Sequence, residues 1–251
     1  MISADWTLLG GAAVLAGALN AVAGGGSFLT LPALALVGVP LVSANATGTA
    51  ALLPGYLAGA WSLRRELSGP ISPSLVRLSV LSVAGGTTGA VLLLSTSSQA
   101  FARIVPWLLL VATLLFMFGP WMMRFRAARP PSGHSLPSDL GILAVAIYGG
   151  YFNGGLGILL LAVLGVFGHT GMARMNGIKN FVSAILTLFA IAIYAANGAI
   201  AWTNALWMAF GAALGGYIGG SLVRKLHPSL VRGFVVLTGL AMTCAFFLKA
   251  H

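Results

Sequence analysis

The chain carries little charge. Of its 251 residues only 6% are Asp, Glu, Lys or Arg, against ~25% in an ordinary soluble domain. Acids are scarcest: Asp5, Glu66 and Asp139, all close to the ends of apolar runs. That placement argues against a carboxylate pair for acid–base work and against an Asp/Glu proton relay inside a membrane. Cys244 is the single cysteine, which excludes a disulfide scaffold. The histidines at 134, 169, 227 and 251 are scattered. With no H-E-x-x-H, no Walker lysine, no G-x-S-x-G and no G-x-G-x-x-G, neither an enzyme nor a metal or other cofactor is expected.

What the chain has is apolar length. Hydrophobic residues make up 59% and mean hydropathy is +0.99, which excludes a soluble or disordered chain and indicates a polytopic membrane protein. The net charge of +10 is spread between apolar runs with no basic–aromatic cluster. It reads as a topology signal for a lipid bilayer and not as nucleic-acid binding. No Lys or Arg precedes the first segment, so that segment is expected to stay in the fold and not to serve as a signal peptide.

Six runs are long enough to span: 43–63, 74–95, 104–123, 173–194, 202–223 and 230–248. Each is about 19–22 residues, or ~30 Å of helix. Two further regions are broken. Residues 7–37 are cut by Gly24-Gly25-Gly26, and residues 139–167 by Asn153-Gly154-Gly155 and Gly157. The pieces that follow, 27–37 and 156–167, reach only ~17 Å, half a bilayer. They are expected to be broken or re-entrant helices meeting at mid-membrane. Glycines in the spans, Gly55/Gly59, Gly85/Gly89 and Gly211/Gly215/Gly219, form small-xxx-small stripes expected to pack helices closely.

The halves repeat. An ungapped shift of 131 residues puts Gly24 and Gly26 on Gly155 and Gly157, and Asn45 on Asn176. Residues 1–123 and 139–251 are therefore two repeats, joined by a basic, Pro-rich linker at 124–138. Basic residues decide their orientation. If each broken segment enters and leaves on one side, Arg64, Arg65, Arg77, Arg124, Arg126, Arg129, Arg174, Arg224, Lys225 and Arg232 share one face. Arg103 and Lys249 are left on the other. Positive residues mark the cytoplasmic side. The expected fold is thus an all-α membrane protein of two inverted repeats, each one broken segment plus three spans. The linker is then cytoplasmic and both termini lie outside.

Lys179 lies about two turns into the 173–194 span, beside Asn176 and Asn180. An unpaired cation at depth costs ~2.5–3.5 kcal/mol. The bland alternative is snorkelling toward headgroups near Arg174. The functional reading is a cation lining a wet pocket whose missing partner is an anionic substrate. The first half offers a matching polar patch with Asn45, Thr47 and Thr49. Helix starts after Gly25, Gly26 and Ser27, and after Gly155 and Gly157, would add N–H donors and positive dipole ends.

The string Gly24-Gly25-Gly26-Ser27-Phe28-Leu29-Thr30-Leu31-Pro32, then Ala44-Asn45-Ala46-Thr47-Gly48-Thr49, resembles the TauE/SafE sulfite exporter family. Its counterpart is Asn153-Gly154-Gly155-Leu156-Gly157, then Asn176-Gly177-Ile178-Lys179-Asn180. The resemblance covers essentially the whole chain. It implies a bacterial inner-membrane carrier for sulfite, sulfonates or related sulfur oxyanions. The leading expectation is an exporter of sulfite or an organosulfonate; the alternatives are an importer of the same anion class, sulfate- or thiosulfate-like, and a membrane protein that does not transport.

Overall fold

A computed structural model describes residues 2–22, 24–67, 74–126, 136–167, 171–222 and 228–250. Among these the chain is all-helical. The first half holds α1 (Ile2–Val22), α2 (Ser27–Leu36), α3 (Leu41–Ser62), α4 (Leu75–Ser95) and α5 (Ser98–Arg126). The second holds α6 (Leu136–Tyr151), α7 (Leu156–Val166), α8 (Met172–Ala196), α9 (Trp202–Leu222) and α10 (Pro228–Ala250). A 3-10 turn at Arg64–Leu67 follows α3. Most of the expected linker, 127–135, lies outside the described residues. Residues 124–126 continue α5, and 136–138 begin α6.

Each expected span coincides with one helix, and both broken regions are broken. Leu75–Ser95 and Ala173–Ala196 are long and apolar enough to cross a membrane by themselves. α2 and α7 have 10 and 11 residues, or about 15–17 Å. The cause of each break is local. Gly24 sits at φ +77° and Gly155 at φ +75°, the left-handed region that ends a helix and favours glycine. Pro40 just before α3 and Pro228 at the start of α10 suit helix beginnings. Ser74 caps α4 by accepting from the Arg77 N–H.

Contacts give the helix directions. α2 runs back against α3, with Gly26 beside Leu52 and Gly48 beside Thr30. α7 runs back against α6, with Gly149 beside Leu156 and Gly141 beside Phe167. α1 is parallel to α9: Gly10 lies on Trp207, and Gly17 on Ala212. α6 is parallel to α4, where Arg77 pairs with Asp139 and Gly85 lies on Ala146. α3 and α8 are antiparallel, with Leu63 beside Gly177 and Gly59 beside Asn180.

The glycine stripes act as contact surfaces. Gly85, Gly86 and Gly89 let α4 touch the α6 and α8 backbones, and Gly211 and Gly215 bring α9 onto α1. Gly59 instead faces the Asn180 side chain.

Candidate functional site

The two breaks touch. A Cβ at Gly24 would lie 2.7 Å from the Gly157 Cα, and one at Gly157 would lie 2.8 Å from the Gly24 Cα. Only two glycines permit that approach. The Lys179 stem packs on the same spot, its Cδ 3.1 Å from where a Gly157 Cβ would be. Lys179 is 0% exposed, and its Nζ has no hydrogen-bond partner among the described residues. The ammonium does not reach a surface. It is held inside the bundle beside the crossing of the breaks.

Other polar groups gather there. The Tyr56 hydroxyl, on a residue 1% exposed, donates to Asn153 Oδ1 at 2.9 Å and so ties α3 to the second break. The Asn20 side chain lies nearby, its Nδ2 3.7 Å from where a Gly55 Cβ would be. Asn20 Oδ1, Asn153 Nδ2 and Ser27 Oγ are buried without a partner among the described residues. Asn20 stands at the break by backbone connection, its carbonyl accepting from the Gly24 N–H at 3.1 Å.

A crevice of about 780 Å³ leads toward this cluster between α1, α3, α8 and α9. Asn20, Gly55, Gly59, Asn176 and Asn180 line it, with Ser62, Leu63 and Ala173 at one end. That end of the bundle carries Arg64, Arg65 and Arg174. Small residues open the space: a Cβ at Gly55 would have only Asn20 Nδ2 nearby, at 3.7 Å.

The expected site residues separate into three sets. Lys179, Gly25, Gly26, Ser27, Gly155 and Gly157 are brought together at the breaks, and Gly26 is boxed in by the Ala16 carbonyl and Leu52. Asn176 and Asn180 line the crevice. Asn45 and Thr47 have backbone partners: Asn45 Nδ2 donates to the Tyr151 carbonyl at 3.0 Å, and Thr47 Oγ1 accepts from the Ala201 N–H at 3.0 Å. Thr49 is buried in the same helix. Sequence reasoning did not single out Asn20 or Tyr56. The available signal was position, since Asn20 falls one turn before Gly24 and Tyr56 two residues after Pro54.

A buried cation and several hydrogen-bonding groups that have no partner among the described residues, next to an open crevice, have the chemistry to hold a small anion. Comparison with known proteins decides the family. The profile described as sulfite exporter TauE/SafE matches residues 9–246. The chain belongs to this family of membrane transporters. It is 24% identical over 241 residues to the probable membrane transporter protein YfcA of Escherichia coli K12, covering 95% of this chain and 88% of that one. It is 28% identical over 229 residues to a probable membrane transporter protein of Haemophilus influenzae, covering 90% and 88%. With a Sinorhizobium probable membrane transporter protein, ORF9, it shares 23% over 232 residues, 92% and 88% of the two chains. No solved structure matches this chain. A membrane transporter implies a lipid environment and a small-molecule substrate.

Proposed function

We propose that this transporter exports a small sulfur oxyanion or organosulfonate from the cytoplasm, driven by the membrane potential. The observation that carries the reading is Lys179: fully buried, unpartnered and packed where the breaks cross. Its counter-charge is the substrate. Lys179 supplies charge, while Asn176, Asn180 and Thr49 supply hydrogen bonds from α8 and α3. N–H groups after Gly25, Gly26, Ser27, Gly155 and Gly157 complete the cage. Asn45 and Thr47 shape it from behind through the backbone partners they hold.

The architecture that suits this task is an inverted repeat with two re-entrant hairpins in the inner membrane. Three features support it: α3 and α8 run antiparallel, α2 and α7 each double back, and Gly24 and Gly155 share one backbone conformation. Arg64, Arg65, Arg77 and Arg174 stand at one end and Arg103 at the other. The first end is then cytoplasmic, the termini are periplasmic, and the crevice opens inward.

The energetics favour exit. A negative-inside potential drives an anion outward by ~2.3 kcal/mol per charge per 100 mV. Among the described residues Asp139 is paired with Arg77 at the basic end, and Asp5 and Glu66 are exposed, so no carboxylate stands beside Lys179 to couple protons. Sulfite flux from proteoliposomes at clamped voltage tests this. Flux should follow voltage without a fixed proton count. Strict proton stoichiometry, or a C-terminus labelled from the cytoplasm on a Cys244-free background, would overturn the respective part.

A further inference from the structure

A buried hydroxyl on a membrane helix ordinarily bonds the carbonyl one turn back. Ser82, Thr113 and Thr243 do so, donating to the Leu78, Leu109 and Gly239 carbonyls at 2.6, 2.7 and 2.8 Å. Ser183 and Thr187 of α8 do not. Both are 0% exposed, and neither hydroxyl has a hydrogen-bond partner among the described residues. They follow Lys179 at intervals of four residues, one and two turns farther from the end of α8 that carries Arg174.

These groups share one face. At ~100° per residue, Asn176, Lys179, Ser183 and Thr187 fall within about 80° of arc. The face is bounded by α3 on one flank, where Asn180 meets Gly59. On the other flank the Lys179 stem packs on Gly157 of α7, and Leu186 packs on Gly86 of α4. The crevice follows this face only part of the way: on α8 it is lined by Ala173, Asn176 and Asn180. Beyond Lys179 the face is closed yet still polar, for ~12 Å as far as Thr187. Two unsatisfied hydroxyls in a closed core are costly, and alanine and valine would occupy nearly the same volumes without that cost. An anion leaving Lys179 in this direction gives up its charge-assisted bonds with little water to replace them. Two O–H donors on rotating bonds, ~6 Å apart along the helix, can take up its oxygens in turn.

We propose that Ser183 and Thr187 are a second stop for the transported oxyanion, past Lys179 on its route through the bundle. The inference rests on the anion reading above and adds the path that the anion takes. Lys179 holds the anion at the end of the open crevice, and the two hydroxyls hold it while the closed part is crossed.

The tests use the full-length protein, purified for binding and reconstituted for flux. Ser183→Ala and Thr187→Val each delete one hydroxyl and little else. Saturating sulfite flux should fall roughly tenfold in each, while Lys179-dependent equilibrium binding of sulfite stays near the parent's. Ser82→Ala removes a hydroxyl that already has its partner and should transport like the parent. A labelling arm places Ser183→Cys and Thr187→Cys on a Cys244-free background. The probe is a small anionic thiol reagent, 2-sulfonatoethyl methanethiosulfonate. Both thiols should react faster than that of Ser82→Cys, and ethanesulfonate should slow them. If a hydroxyl deletion does not fold, labelling decides for that position. Parental flux in both deletions, or thiols no more reactive than that of Ser82→Cys, overturns the second stop; with Lys179 dependence intact, it spares the anion site. Binding and flux that do not depend on Lys179 overturn both.

Discussion

The two breaks each hold a glycine at positive φ and differ in what surrounds them. At the 131-residue shift, Gly17, Ala21 and Gly55 correspond to Tyr148, Phe152 and Leu186. The first three line the open crevice. Their counterparts fill space. Phe152 and Leu186 are fully buried, and Phe152 stacks edge-on with Phe101 and Tyr148. The Tyr148 hydroxyl donates to the Gly154 carbonyl at 2.6 Å, and Tyr194 donates to the Gly150 carbonyl. The surroundings of the first break are therefore open and those of the second are filled by aromatic and aliphatic side chains. The lesson is that side-chain volume, and not the glycine break itself, decides which side is open.

The largest effects should come from the feature the two breaks share. Gly24→Val and Gly157→Val each drive a side chain into the opposite backbone, and Gly24 also loses its left-handed conformation. Backbone strain of ~1–3 kcal/mol and overpacking of similar size add together. Transport should be lost in both, with reduced folded yield. If one variant transports normally, the breaks do not meet as described. Gly26→Val, against the Ala16 carbonyl and Leu52, should behave like them.

The next prediction exchanges the two sides. Phe152→Ala removes a buried ring and should cost ~3–5 kcal/mol, read as a lower melting temperature in detergent. Ala21→Phe places a ring in the crevice. It should cut flux while leaving melting nearly unchanged, because Ala21 is exposed there. Equal melting losses in the two variants would erase the contrast between the sides. The smallest effect is that of Tyr194→Phe, which gives up one hydrogen bond to the Gly150 carbonyl and should cost about 0.5–1.5 kcal/mol.

Much of this was legible from composition and periodicity. Spans of ~20 apolar residues and glycine clusters inside two other runs are strong signals, because a helix has a fixed rise and glycine ends it. Lys179 was legible as a cation with no acid nearby in sequence. The surroundings of Asn45 and Thr47 were not. Their partners, the Tyr151 carbonyl and the Ala201 N–H, lie more than a hundred residues away. Asn20 and Tyr56 were hidden for a related reason. A lone Asn or Tyr in an apolar helix usually satisfies itself locally, and only the fold brings Tyr56 to Asn153 and Asn20 to the crevice. The difference in volume between the two sides was printed in the residues at the 131-residue shift. It acquires meaning once the crevice is seen to follow one set of them.

The central claim is that the buried ammonium of Lys179 is completed by an anion. The direct measurement is binding and flux of sulfite by Lys179→Ala at equal membrane abundance. Charge-assisted hydrogen bonds contribute about 1.5–3 kcal/mol, so binding should weaken roughly ten- to a hundredfold. Lys179→Arg should not restore it, since the planar fork is larger than the ammonium packed against Gly157. If Lys179→Ala binds and transports like the parent, the charge is not part of the site and the account fails at its core.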